Sequence, residues 1–476
     1  MRHANSTAGE LPFRSLSQLS DLVGRRKVSP VEIVTALLDR IDRYDGALRS
    51  YITVCGDAAL DAARRAERDI RAGRRRGPLH GLPISHKDIS WTRGVRTTAH
   101  SRTLVDFVPE HDATHVARLA RAGMIMLGKT NTTEFANGGM DVFGVARNPW
   151  DLAHYTGGSS AGSASALATG LAVAATGSDT GGSIRVPSSF CGVVGLKPTY
   201  GRVSRYGVIA LSWSLDNAGP MARTVRDCAL LLNVMAGFDP LDPSTSRVPV
   251  PDFTAGLKKS LKGIVLGVPE QHYYDGLDPD VDRAVRAALR ELKSLGARLQ
   301  PVSLPRAGQL EPAYTVIISA ESFGAHAPRL RRQAADYGTR SRRRISTGAF
   351  YSAAEYQHAL QIRNLWVSEL DRALAEVDAL VMPTLPRPAF KVEVQLQPAG
   401  PPDTSWGTRQ FNLSGHPALT VPCGFTGAGL PVGLQFAAKA FDEGTLFRVA
   451  HAYEQATSWH ERRPVMKEAA ADAAGA

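Results

Sequence analysis

Nine of the residues from Thr176 to Ser189 are Gly, Ser or Thr, within a stretch, Tyr155 to Gly201, that otherwise reads as the middle of an α/β core. Glycine loses the most conformational entropy on ordering, so glycines clustered there need a reason. One reason is a set of tight turns. The other is a backbone that must approach a ligand closely and aim its N–H groups at it. Gly181-Gly182-Ser183 suits an oxyanion hole, with Ser183 positioned to attack. A serine hydroxyl is a weak nucleophile and needs a base, and no histidine accompanies this segment. Upstream, Gly81-Leu-Pro-Ile-Ser-His-Lys87-Asp88 places a lysine directly after a short apolar run. Burial there would lower its pKa; a fall from about 10.4 to about 7–8 corresponds to roughly 4 kcal/mol. Taken alone, Lys87 also reads as a surface lysine with its head in water, and His86 as a packing or hydrogen-bonding residue.

The rest of the chain supplies the frame. Ser29-Pro30-Val31-Glu32 carries a capping box and a proline at the first helical position, and Val31, Val34, Leu37, Leu38 and Ile41 follow at helical spacing. Ser352 and Glu355 repeat that logic ahead of a long helix through Leu360, Ile362, Leu365 and Leu370. Further helices are expected near 57–72, 113–122, 224–236, 279–295 and 443–457. Met124–Leu127, Ile264–Val268, Ala379–Met382, Leu419–Val421 and Val432–Phe436 are short apolar runs bounded by Gly or Pro and read as buried strands. The alternation means an α/β layer architecture. Ala164–Ala175 reads as a buried helix, the Pro-rich stretch Pro240–Pro251 as a loop or insertion boundary, and the Ala-rich tail 468–476 as frayed.

Composition excludes several classes. The N-terminus has no apolar core of a secretory signal, and no apolar run approaches the roughly 18 residues of a membrane span. Cys55, Cys191, Cys228 and Cys423 are scattered, as reduced thiols in a cytoplasmic protein would be, not as a disulfide scaffold or a structural zinc. Much of the net charge of +11 lies in runs such as Arg74–Arg76 and Arg342–Arg344. No aromatic residues interleave with them, so they read as solvated surface and not as a nucleic-acid platform.

Two motifs are look-alikes. Gly123 to Thr130 matches G-x-x-x-x-G-K-T, but a helix precedes it and its four intervening residues are apolar, whereas a P-loop needs strand, flexible turn, helix. Gly158 to Gly162 matches G-x-S-x-G. The polar, Pro-containing residues from Arg147 to Thr156 make a poor central strand for such an elbow, and no histidine is marked as its partner.

The runs G-G-S-S-x-G-S (from Gly157), G-S-D-T-G-G-S-I-R (from Gly177) and C-G-V-V-G-L-K-P-T (from Cys191) together resemble the amidase signature, and Lys87-Asp88 resembles that family's lysine motif. The resemblance is dense from Leu79 to Ala222 and thinner through Met382-Pro-Thr-Leu-Pro, Asn412-Leu-Ser-Gly-His-Pro and Val432-Gly-Leu-Gln. It implies a single α/β/α unit over residues 1–476, built on a large, twisted, mixed β-sheet flanked by helices, with the signature core at about 79–222 and an insertion or lid near 240–360. It implies Ser183 as nucleophile and Lys87 as base, bridged by Ser159 after a cis peptide bond. The backbone of Thr180, Gly181, Gly182 and Ser183 would form the oxyanion hole. Ser160, Asp179 and Arg185 would support the loop. No metal or organic cofactor is implied, since neither H-E-x-x-H nor a Cys/His cluster is present.

The expected activity is that of a stand-alone serine amidohydrolase acting on an aryl or alkyl amide or a carbamate, with ester cleavage as a side activity. Its partner is then a small-molecule amide or carbamate; a homo-oligomer is left open. The alternative is the glutamine-hydrolysing A component of a glutamyl-tRNA amidotransferase, which works with partner subunits. Lys197–Gly207 and Arg342–Phe350 resemble that component. Against this alternative, Ser405 stands where such proteins carry an aspartate for the glutamine ammonium, with Asp403 two residues away. A remote third reading is an inactive binding protein.

Overall fold

The computed structural model describes residues 9–397 and 403–466; the tail expected to fray lies outside them. Eleven strands form one sheet: β1 (Tyr51–Val54), β2 (Pro83–Lys87), β3 (Ile125–Thr130), β4 (Ala174–Asp179), β5 (Val194–Lys197), β6 (Asn217–Ala222), β7 (Val265–Pro269), β8 (Arg298–Val302), β9 (Ala379–Pro383), β10 (Ala418–Phe425) and β11 (Pro431–Ala438). Their order is β1-β3-β2-β4-β6-β5-β10-β11-β9-β7-β8. The sheet is mixed. β2 is parallel to both β3 and β4, β4 is antiparallel to β6, and β7 is parallel to β8 and β9.

Alternation along the strands assigns the two faces. In β11, Leu434 and Phe436 join a cluster with the helices Pro30–Leu48, Gly56–Arg71, Val225–Met235, Pro279–Ser294 and Glu443–Ala456. Ala437 points the other way, into a cluster with Glu311–Gln333 and Ala353–Ala375. β9 alternates likewise, Ala379 and Val381 on the first face and Leu380 and Met382 on the second. This is the layered α/β architecture that the sequence pattern predicts.

Local chemistry sets the boundaries where it was legible. Ser29 and Ser352 both form reciprocal capping boxes, with Glu32 and Glu355. The helix expected over Ala164–Ala175 is shorter: it spans Ala161–Thr169 and stops where Gly170 turns left-handed (φ 68°), and Ala174 already opens β4. The apparent P-loop is the helix-to-strand turn anticipated for it. Gly123 takes φ 88° and Gly128, Lys129 and Thr130 lie in β3. Among the described residues no helix is long and apolar enough to cross a membrane, and all four cysteines are free.

Lys129 has a structural use. It is fully buried with its Nζ 3.3 Å from Asp88, itself fully buried, and it also donates to Ser90 O and Thr97 Oγ1. Removing one partner of such a pair leaves an uncompensated buried charge, which costs about 3–5 kcal/mol. Lys129→Ala is therefore expected to lower the unfolding free energy by about that much. Urea titration checks this, and a loss within about 0.5 kcal/mol would contradict it.

Candidate active site

β2 and β4 run parallel, so their C-terminal ends reach the same edge of the sheet. Lys87 ends β2 and Asp179 ends β4. The lysine is fully buried, and its Nζ lies 2.6 Å from Ser159 Oγ and 2.7 Å from Ser178 Oγ. Burial is the main influence on its pKa and brings it down to about 7, against the opposing pull of Asp179 and Asp216. A neutral amine has a lone pair to accept a proton from one hydroxyl while it donates to the other.

Ser159 follows a cis peptide bond from Gly158. The next residue, Ser160, precedes the helix Ala161–Thr169 and ties three segments together. Its N–H donates to Ser183 O at 3.1 Å, its Oγ donates to Ser178 O at 3.3 Å, and the same Oγ accepts from Ser178 N. The G-x-S-x-G serine is thus a backbone anchor. His86, the other conceivable base, contacts Thr176 Oγ1 at 3.3 Å and meets His115 edge-on.

Asp179 and Arg185 brace the turn that carries Ser183. Asp179 Oδ1 accepts from Gly182 N (2.8 Å), Arg185 Nη2 (2.9 Å) and Asn412 Nδ2 (2.9 Å). Its Oδ2 accepts from Ile184 N (3.1 Å) and Arg185 Nε (3.0 Å). Burial alone would raise the Asp179 pKa; the Arg185 guanidinium and these hydrogen bonds overcome it and hold the carboxyl well below the usual range. The N–H of Gly182 is tied to Asp179, which leaves those of Thr180, Gly181 and Ser183 as the turn's remaining donors. Gly181 is required by proximity, since a Cβ there would collide with the Tyr314 hydroxyl. Thr408 Oγ1 fixes Gly181 from below by donating to its carbonyl at 2.6 Å.

Ser159, Ser183 and the turn face a cavity of about 100 Å³. The helices of the 311–347 region wall it with Tyr314, Arg340 and Arg344, and Ser405 closes another side. Arg340 Nη1 donates to Gln395 O (2.8 Å) and Arg344 Nη1 to Asn137 O (3.0 Å). Arg344 is exposed to solvent and Arg340 partly so. Among the described residues, none that lines the cavity is acidic. Asp403 forms an ion pair with Arg409 instead, and Asp141 lies beside Gly338, outside that lining.

Sequence reasoning brought Lys87, Ser159, Ser160, Asp179, Thr180 to Ser183 and Arg185 together, and the structure gathers them at one place. It missed Ser178, Asp216, Tyr314 and Gln435. Ser178 stood in the G-S-D run, but only the parallel pairing of β2 and β4 reveals that it faces Lys87. Gln435 accepts from Arg185 Nη1 at 2.8 Å across 250 residues of chain.

The family model described as Amidase matches residues 32–447, and the chain belongs to the amidase family. The A component of the glutamyl-tRNA(Gln) amidotransferase of Moorella thermoacetica is 43% identical over 96% of this chain and 99% of its own length. Among solved structures, the native peptide amidase of Stenotrophomonas maltophilia superposes with a TM-score of 0.84 at 34% identity, over 94% of this chain and 98% of its own. The corresponding amidotransferase component of Thermotoga maritima superposes with a TM-score of 0.79 at 35% identity, over 94% of this chain and 95% of its own. The protein is a hydrolase acting on the C–N bonds of amides.

Lys87 gives the site a signature in stability. Between the folded pKa of about 7 and the ordinary 10.5, the unfolded chain binds a proton that the folded chain does not, so stability rises with pH across that window. Replacing the lysine by methionine removes the dependence. The stability difference between Lys87→Met and the wild type is expected to favour the variant most at pH 7 and below and to shrink toward pH 10.5. Denaturant titrations across this range check it, and a constant difference would refute the assignment.

Proposed function

We propose that the chain hydrolyses an amide through an acyl-enzyme on Ser183. The observation that carries this reading is the buried Lys87 Nζ 2.6 Å from Ser159 Oγ, with a pKa of about 7. Neutral Lys87 takes a proton from Ser159 as Ser159 takes one from Ser183. Ser183 Oγ bonds to the carbonyl carbon, and the N–H groups of Thr180, Gly181 and Ser183 stabilise the oxyanion; one such donor is typically worth about 10²–10³-fold in rate. The relay then reverses, the proton reaches the nitrogen, the C–N bond breaks and the amine departs. Water, deprotonated through the same relay, releases the acid and restores Ser183.

The cavity wall supports one class of acyl group. Arg340 and Arg344 stay charged at any ordinary pH, they donate to backbone carbonyls, and no carboxylate lines the cavity. Asp141 acts on Arg340 from outside the lining, and a substrate carboxylate would supply an anion within it. Glutamine meets that requirement. The amidotransferase relatives, at 40–44% identity over nearly the whole chain, support the glutamine-hydrolysing role with partner subunits better than they support a stand-alone amidase. The cavity lining favours the stand-alone reading: glutamine also brings an ammonium, and Ser405 offers it no charge.

Glutaramate, which is glutamine without the α-amino group, separates the two. Turnover of glutaramate by the chain alone, with glutamine at least tenfold slower in kcat/KM, supports the stand-alone reading, and Ser405→Asp is then expected to shift that preference toward glutamine. Glutamine hydrolysis that depends on added amidotransferase partner subunits overturns it. In both cases Ser183→Ala is expected to lose all turnover.

The base also predicts the pH profile. Only neutral Lys87 accepts a proton, so kcat/KM is expected to rise with pH and level off above an apparent pKa near 7. Lys197, which burial also brings to about 7, donates to Pro198 O and contacts neither Ser159 nor Ser178 by hydrogen bond among the described residues; the limb is expected to persist in Lys197→Met. A profile that stays flat into the acid range would exclude Lys87 as the base.

A further inference from the structure

The cleft has a second lobe on the side of Lys87. A cavity of about 60 Å³, open to solvent on one side, is lined by Ile89, Val208, Ile209 and Leu211, by the exposed Trp213, and by the polar Ser178 and Arg205. It shares Ala136, Thr180 and Leu211 with the cavity that holds Ser159 and Ser183. The two spaces therefore meet at the turn that carries the nucleophile. Ser178 is also the hydroxyl 2.7 Å from Lys87 Nζ, so whatever enters this lobe stands beside the base. Asp216, the acid of the lobe, is committed: its oxygens accept from Thr180 Oγ1, Leu211 N and Ser212 N.

Chemistry says which half of a substrate belongs there. The departing nitrogen takes its proton from the Lys87 relay, so it leaves on the lysine's side while the acyl group stays with Ser183 and the arginines. Size then decides what it carries. A cavity of about 150 Å³ is what a benzene ring occupies, and a single water needs only about 10–15 Å³. The lobe thus has room for ammonia and not for an aromatic amine. The Arg205 guanidinium and the aliphatic side chains of the lining both disfavour ammonium, the one by charge and the others by loss of hydration, so the amine leaves uncharged.

On the reading of Ser183 and Lys87 given above, we propose that this lobe receives the leaving amine and restricts the enzyme to primary amides, with ammonia as the product. In the acylation step the Ser183 Oγ–carbon bond forms and the C–N bond breaks. The proton that left Ser183 ends on nitrogen, so no further reactant is needed. This narrows the aryl amides and carbamates expected from sequence to substrates with an unsubstituted NH₂.

The test is a series with one acyl group: succinamate, N-methylsuccinamate and succinanilate, assayed with the wild type, Ile209→Ala and Val208→Ala. A single methyl group in an apolar pocket discriminates by about 10–200-fold. The expected result is a wild-type kcat/KM for the primary amide at least tenfold above that of the N-methyl amide, with the anilide lower still. In either alanine variant the ratio of N-methyl to primary amide is expected to rise about tenfold. Wild-type cleavage of the anilide as fast as the primary amide overturns the proposal, and the wild-type series decides this even if neither variant folds. Ser183→Ala tests the catalytic reading separately: a Ser183-dependent enzyme indifferent to the amine refutes the lobe's role alone.

Discussion

One buried carboxylate holds the reactive turn in shape. Asp179 gathers donors from the turn (Gly182 and Ile184), from Arg185 and from Asn412, the last 233 residues away in sequence. Arg185 carries the network onward to Gln435 on β11, and Gln435 Nε2 donates to Gly407 O, next to the Thr408 that supports Gly181. A buried ion pair is stabilising only when its remaining lone pairs and protons are also satisfied, and here both carboxylate oxygens and four of the five guanidinium N–H groups have partners. The turn is therefore organised before any substrate arrives, which is what an oxyanion site requires, since donors that must reorganise at the moment of reaction lose much of their effect.

On that rigid turn a lysine can act as a base. The contrast with its neighbour on the adjacent strand shows how. Lys129 is as deeply buried as Lys87, but it has a carboxylate at 3.3 Å that opposes the downward pull of burial on its pKa. Lys87 has two hydroxyls instead. The acids that act on it, Asp179 and Asp216, are saturated by other donors. The same side chain at the same depth is paired with a carboxylate in one strand and with two hydroxyls in the next. The difference is which partners the fold leaves free.

This division explains what the sequence disclosed. Capping at Ser29 and Ser352 was legible because its signal is local, as was the Gly123 turn that disqualified the P-loop pattern. So was the core of the site, because the signature runs concentrate Gly and Ser where a backbone must come close to a ligand. The end of the buried helix at Gly170 was missed because Ala, Leu, Thr and Gly from 164 to 175 suit a buried helix and a buried strand alike. Ser178 and Gln435 were invisible for another reason. A serine in a Ser-rich run and a glutamine in an apolar strand acquire meaning only when the sheet sets them beside Lys87 and Arg185, and sheet order is not written locally.

Specificity is where similarity and physics part. The signature residues form the turn and the relay, whereas the cavity walls come from Tyr314, Arg340, Arg344 and Ser405, far outside it. Whole-chain identity is dominated by the fold and the relay, so 43% identity to an amidotransferase component weighs little on any one wall residue. A single wall residue can weigh heavily. An ammonium about 6 Å from a guanidinium is repelled by about 3 kcal/mol at an effective dielectric of about 20. Arg340 and Arg344 thus act against a substrate ammonium in this cavity, and Asp141, which faces Arg340 from outside the lining, offsets only part of that field. A carboxylate in the same place gains what the ammonium loses. The charge of the wall is therefore the feature on which the choice between the two proposed substrates turns, and the scaffold beneath it leaves that choice open.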